Sequence, residues 1–187
     1  MPEFRDRLDR ALEKTFTRPA PKSAQAQMKY LVKQLKGTKA AAEALGISQR
    51  TVERYVTGKI KRPRQDLRGR LEGEVKRRWQ PQIRAKALRK ATRSGGDGII
   101  VSVTARFGYE AAAGTTDQAR VRSLPPQVLP PEYAERLYAA REAGDTEDQL
   151  RQIAAEGLAE VYFRANNTRA AGLEVVLNDV LDLDIQL

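Results

Sequence analysis

The chain has 187 residues and a formal charge of +10, set by 34 Lys and Arg against 24 Asp and Glu, with no cysteine and no histidine. Those two absences exclude disulfides, thiol nucleophiles, thiolate or imidazole zinc sites, and every Ser-His-Asp or Cys-His catalytic set. The charge is unevenly spread: residues 1–96 hold 26 Lys or Arg against 9 Asp or Glu, whereas residues 97–187 hold 8 Arg, no Lys and 15 acids. A field so positive recruits polyanions and makes affinity depend steeply on salt. The acidic second half would be repelled by the same polyanion, which gives it another task. The N-terminus lacks a hydrophobic signal region and no apolar run approaches a membrane span, so a soluble, cytoplasmic protein is expected.

Phe4, Leu8, Leu12 and Phe16 line one face of a first helix, which the prolines of Arg18–Pro21 end. A second helix spans about Ser23 to Lys36, with Met28, Leu31 and Leu35 inward and Gly37 as its C-cap. The next segment, AAEALGISQRTVERYV at residues 41–56, reads as a helix-turn-helix within residues 38–57. Ala42 is small where two helices must approach. Gly46 suits a turn that residues with a Cβ avoid, and Ile47 plugs that turn from the apolar side. Ser48 is placed to cap the second helix, and Val52 and Tyr55 return to the core three residues apart.

The outward positions carry the residue types that reach base edges and phosphates in a major groove. The candidate DNA-binding set is Ser48, Gln49, Arg50, Thr51 and Arg54, followed by Lys59, Lys61, Arg62 and Arg64 beyond the recognition helix. The Lys59–Arg64 cluster also fits an import-like signal, although phosphate contact is the simpler account. Leu67, Leu71, Val75 and Trp79 then repeat every four residues on another helix, which Pro81 breaks. Trp79 is in phase with Leu71 and Val75, so packing is preferred for it over stacking on a single-stranded base. A short basic helix through Arg93 carries Arg84, Lys86, Arg89, Lys90 and Arg93, either as more phosphate contacts or as a solvated face.

Three glycines within Ser94–Gly98 read as a linker. Beyond it, Ile99–Thr104 and Ala119–Leu124 read as hairpin strands joined by a loop holding Glu110–Asp117. A proline-rich turn (Pro125, Pro126, Pro130, Pro131) precedes a helix to about Ala143, and Thr146 with Gln149 forms a capping box for a helix through Phe163. At the end Leu181, Leu183, Ile185 and Leu187 alternate with Asp182, Asp184 and Gln186, the pattern of a half-buried strand. Asp182 and Asp184 share a face as metal-binding carboxylates do, but Asp179 is out of phase and a solvated strand face is preferred; no metal site is assigned. The expected fold is α+β: an all-helical helix-turn-helix domain over 1–93, a linker at 94–98 and a smaller α+β domain over 99–187.

Several blocks together carry a resemblance. They are TRPAPKS at 17–23, QLKGTK at 34–39, the helix-turn-helix, RWQPQ at 78–82, GTTD at 114–117, YAERL at 133–137 and IAAEGLAEVYF at 153–163. Nearly the whole chain resembles the telomere terminal proteins of streptomycete linear chromosomes and plasmids, which are covalently joined to the 5′ ends of linear DNA. The resemblance implies protein priming, in which a side-chain hydroxyl replaces the ribose 3′-OH that a polymerase extends. Thr115 and Thr116, behind Gly114 in a loop with small alanines before it, are the candidate acceptors and stay unseparated; Tyr109 is the nearest phenol and is read as packing. Without the resemblance a Thr-Thr-Asp turn bonded to its own backbone is the plainer account.

The chain offers no general base of its own, which suits a substrate better than a catalyst. It is therefore not expected to be an enzyme or to hold a cofactor, the divalent metal coming through a partner polymerase. The partners so implied are telomeric DNA ends with single-stranded overhangs, a DNA polymerase and a telomere-associated DNA-binding protein, at the nucleoid ends of linear replicons. The rival expectation is a transcriptional regulator whose second domain dimerises or senses a ligand. A nucleotidyl transferase or nuclease using the terminal aspartates is the weaker one.

Overall fold

The computed structural model describes residues 3–110, 120–165 and 173–187, without the side chains of Tyr109 and Glu110. Among these residues are eight α-helices and one three-stranded antiparallel sheet, a mixed α+β architecture. The chain divides into two units: a helical unit, Thr17–Gln82, and a larger unit made of Met1–Phe16 together with Ile83–Leu187. This differs from the sequence expectation of a domain over 1–93 and a smaller one over 99–187. The reason is where the first helix, α1 (Phe4–Lys14), buries its apolar face. Phe4, Leu8, Ala11 and Leu12 belong to one core with Val101, Phe107, Leu137, Leu150 and Leu183, not to the core of the helical unit. Heptad-like spacing identifies an amphipathic helix but carries no information about which partner covers it.

In the helical unit, α2 (Ala24–Gln34), α3 (Thr38–Leu45), α4 (Gln49–Val56) and α5 (Gln65–Arg78) enclose Met28, Leu31, Ala41, Leu45, Val52, Tyr55, Leu71 and Val75. The Ser23 hydroxyl accepts from the Ala26 N–H and starts α2. Its other end departs from the expected glycine cap. Lys36, at φ 58°, takes the left-handed position, and Gly37 donates to the Val32 carbonyl at 3.0 Å. Trp79 is buried, as its phase implied, donating Nε1–H to the Arg18 carbonyl at 3.2 Å and meeting Tyr30 edge-on at 4.9 Å.

In the larger unit, β1 (Ile99–Glu110) is the central strand, flanked by β2 (Arg120–Leu129) and β3 (Glu174–Gln186). Ile99, Val101, Val103, Ala105 and Phe107 point to one face, buried in a shared core with residues of α1, α7 (Pro131–Ala143) and α8 (Glu147–Leu158). The opposite face shows Thr104 and Ser123, whose hydroxyls lie 2.6 Å apart, and Arg106 paired with Asp179 at 3.2 Å. Pro125 and Pro126 are not in a turn but within β2, where the register slips between Val101 and Val103. An edge strand tolerates them because its outer N–H groups have no ladder to join.

Two corrections concern segments whose sequence patterns pointed elsewhere. The Ser94–Gly98 stretch is an ordered turn rather than a free linker: the Asp97 and Gly98 N–H groups donate to the Lys90 and Ala91 carbonyls at 3.1 and 3.2 Å. Gly98 has φ +69°, and a Cβ there would stand 2.0 Å from the Leu129 carbonyl oxygen, so this glycine is required by close packing. The strict alternation at the C-terminus is also broken. The β1–β3 register slips between Thr104 and Ala105, leaving Leu181 between Val180 and Asp182 and 59% exposed.

Helix α1 is held to its unit by polar contacts as well as by burial. The Glu147 carboxylate accepts from the Phe4 and Arg5 N–H groups at 2.8 and 3.2 Å, satisfying donors that the first helical turn leaves free. The Tyr138 hydroxyl donates to the Leu8 carbonyl at 3.4 Å, Arg141 pairs with Asp9, and Lys14 pairs with Asp184 at 3.1 Å. The expected capping box at Thr146 and Gln149 is present, and α8 continues into a wider π-turn over Ala159–Phe163. Burial, followed by a hydrogen bond to Glu160, pushes the Tyr133 phenol up to about 12, and burial raises Tyr138 as well. No helix among the described residues is long and apolar enough to cross a membrane.

Candidate nucleic-acid interface

The α3–turn–α4 segment forms as its sequence requires. Gly46 closes α3 in the left-handed region at φ 61°, and the Ile47 N–H donates back to the Ala42 carbonyl at 3.0 Å. Ala42 is buried, and Ile47 packs from the apolar side. The Ser48 hydroxyl accepts from the Thr51 N–H at 3.3 Å and lies 2.9 Å from the Thr51 hydroxyl, so the two together start α4. Val52 and Tyr55 are buried on the inner face of α4. Burial raises the Tyr55 phenol, and the nearby Arg54 and Arg64 guanidinium groups oppose that rise.

The candidate side chains divide by what already holds them. Gln49 is exposed but occupied: its amide donates to the Thr38 hydroxyl and to the Glu53 carboxylate, both at 3.0 Å. That pins Gln49 across the start of both helices. Arg50 and Arg54 are exposed on α4, and among the described residues neither has a carboxylate partner. Lys59, Lys61, Arg62 and Arg64 are likewise exposed and without an ion pair among the described residues. They alternate around Ile60, which packs on the core and donates its N–H to the Arg54 carbonyl at 3.2 Å. The 59–64 segment is therefore anchored through Ile60 while its cations stay in water.

Three of the helical unit's five acids are paired on α5, while Glu43 lies on α3 and Glu53 on α4. On α5, Arg68 pairs with Glu72 at 2.9 Å, Arg70 with Asp66 at 3.2 Å, and Glu74 takes both Arg77 and Arg78. Residues 17–82 hold 17 Lys and Arg against 5 Asp and Glu, a net of +12. With α5 partly neutralising itself, at 5 Lys and Arg against 3 acids, the uncompensated part of that charge includes the segment after α4. Such a rim of exposed cations suits a polyanion.

Three supporting residues escaped the sequence reading. Thr38, eleven positions before Gln49, fixes it; Gln25 donates its side-chain amide to the Val56 carbonyl at 3.1 Å at the end of α4; and Arg70 lies over the turn, 2.9 Å from where a Gly46 Cβ would be. Only the Gln49–Glu53 spacing of four carried a sequence signal for any of this. Thr115 and Thr116 lie outside the described residues, and so does the Tyr109 side chain. Asp182 faces outward on β3, Asp184 is partly covered there, and Asp179 pairs with Arg106. Asp184 accepts from Gln186 and Lys14, which hold its carboxyl below the usual carboxylate range. Among the described residues no group of three or more acids forms a metal-ligand cluster. Comparison with protein-family models, curated proteins and solved structures returned no match.

Proposed function

We propose that this chain is a DNA-end protein that binds duplex DNA through α3 and α4 and serves as the primer for synthesis at the terminus. The observation that carries DNA binding is the α4 rim, where Arg50, Arg54, Lys59, Lys61, Arg62 and Arg64 stand exposed without a carboxylate partner among the described residues. The 59–64 segment holds four cations and no acid, whereas α5 interleaves the two signs. The primer role rests on the resemblance to streptomycete terminal proteins and on Thr115 and Thr116, in the segment joining β1 to β2. In that step Oγ1 of one threonine attacks the α-phosphorus of a deoxynucleoside triphosphate. A P–O bond to the protein forms, the bond to pyrophosphate breaks, and the hydroxyl proton passes to the partner polymerase, which also supplies the divalent metal.

The test is mass spectrometry of protein recovered with its DNA and digested exhaustively with nuclease. Trypsin releases residues 107–120, between Arg106 and Arg120, as one peptide holding both threonines. The expected result is one nucleotide retained on Thr115 or Thr116. An unmodified peptide across the whole DNA-bound population rules out priming there, and a transcriptional regulator then becomes the reading. DNA binding is tested separately by Arg50→Ala and Arg54→Ala, each expected to cost about 1–3 kcal/mol where the arginine reads a base in bidentate fashion.

A further inference from the structure

We infer that helix α6 (Pro81–Thr92) carries a second nucleic-acid contact, on the larger unit and outside the helix-turn-helix. At 100° per residue, Lys86, Arg89, Lys90 and Arg93 fall within an arc of about 100°. All four are exposed, and the Arg93 N–H still donates to the Arg89 carbonyl, so the helical path reaches it. Ala91 is buried on the other side and Leu88 packs against the core. The stripe is about 10 Å long, the axial rise of roughly three phosphates of one DNA strand.

Charge distinguishes this stripe from a solvated face. Helix α5 offsets its arginines with acids three or four residues away, whereas α6 contains no acid at all. Within the stripe Lys90 pairs with Asp97 at 2.6 Å, and Arg93 also acts on that carboxylate, while Lys86 and Arg89 have no ion pair among the described residues. Like charges at these spacings oppose helix formation. Outside α6 and Arg93, the larger unit holds 12 Lys and Arg against 19 Asp and Glu, so the stripe is a local reversal of sign on an acidic body. The apolar side of α6 is used by its own core, which leaves nothing to insert into a membrane. A phosphodiester backbone fits a row of exposed cations on one helix face, and the choice of DNA over other polyanions rests on the proposed DNA-binding reading.

The test compares the full chain with a Lys86→Gln/Arg89→Gln/Arg93→Gln variant, sparing Lys90 and its pair with Asp97. Affinity for a mixed-sequence duplex and for a single strand of the same length is measured by fluorescence anisotropy from about 50 to 200 mM salt. Three lost phosphate contacts lower the slope of log K against log salt by about 2.7 on duplex and about 2 on single strand. Across that salt range the unaltered protein then loses about 40-fold more duplex affinity than the variant. An Arg50→Ala/Arg54→Ala protein must keep the α6 share of the slope.

Unchanged slopes for the triple variant overturn the α6 contact while leaving α4 as a DNA reader. Absence of any nucleic-acid binding by the unaltered protein overturns both. Loss of binding to anionic vesicles or polyglutamate without loss on DNA also overturns it. As an arm free of mutation, Lys86 must be protected from acetylation when duplex is bound, and full reactivity there counts against the contact.

Discussion

Leu8→Ala probes which unit α1 belongs to. Leu8 is fully buried in the core that includes Val101, Phe107 and Leu183, so truncation should cost about 2–5 kcal/mol from lost burial and the cavity left behind. With a urea dependence of about 2 kcal/mol per M, the midpoint of the larger unit falls by roughly 1–2.5 M. The chain has a single tryptophan, Trp79, buried in the helical unit, and its emission reports that unit alone. Far-UV ellipticity reports both. The expected result is an ellipticity transition that begins earlier in urea while the Trp79 midpoint stays in place. Leu31→Ala, in the other core, is the control and should move the Trp79 midpoint. If Leu8→Ala moves it as far as Leu31→Ala does, α1 supports the helical unit and the assignment is refuted.

Leu181→Ala and Leu183→Ala should differ although they alternate in one strand: Leu183 is fully buried and should cost about 2–5 kcal/mol, while Leu181, 59% exposed, should cost under about 1 kcal/mol. Equal losses in urea titrations would place Leu181 back in the core and remove the register slip. Lys36→Gly should stabilise the helical unit by about 0.5–1 kcal/mol, because φ 58° is strained for a residue with a Cβ. A Trp79-monitored midpoint that falls instead would show that Lys36 does not occupy the left-handed cap.

The legible parts of the fold were those written in neighbouring residues. The Ser48 and Thr146 caps, the Gly46 turn and the inward phase of Val52, Tyr55 and Trp79 each depend on contacts within a few positions, and each is present. What escaped depends on distant partners. Leu181 leaves the core because β3 must match β1 across two register slips, which alternation along β3 alone does not encode. Ser94–Gly98 looks free because glycine is permissive, yet Gly98 is there for want of space beside Leu129. At the candidate interface the exposed cations were legible as residue types. The tie from Gln49 to Thr38 was not, since it spans two helices.

The discontinuous topology also changes how the charge is understood. The sequence halves differ in sign, but α1 and α6 cross that division, and the structural cut at residues 17 and 82 isolates a helical unit of net +12 from a remainder of 17 Lys and Arg against 19 acids. An inserted unit needs its two ends close together, and the residues at its ends bring this about. The Thr17 N–H donates to the Gln80 side-chain carbonyl at 3.0 Å, Trp79 Nε1–H donates to the Arg18 carbonyl, and the Arg18 guanidinium lies 5.4 Å from the Trp79 ring centre. The TRPAPKS and RWQPQ blocks, 61 positions apart at Arg18 and Trp79, are thus two halves of one clasp. Their presence in the chain follows from closing the insert and requires no direct contact with DNA.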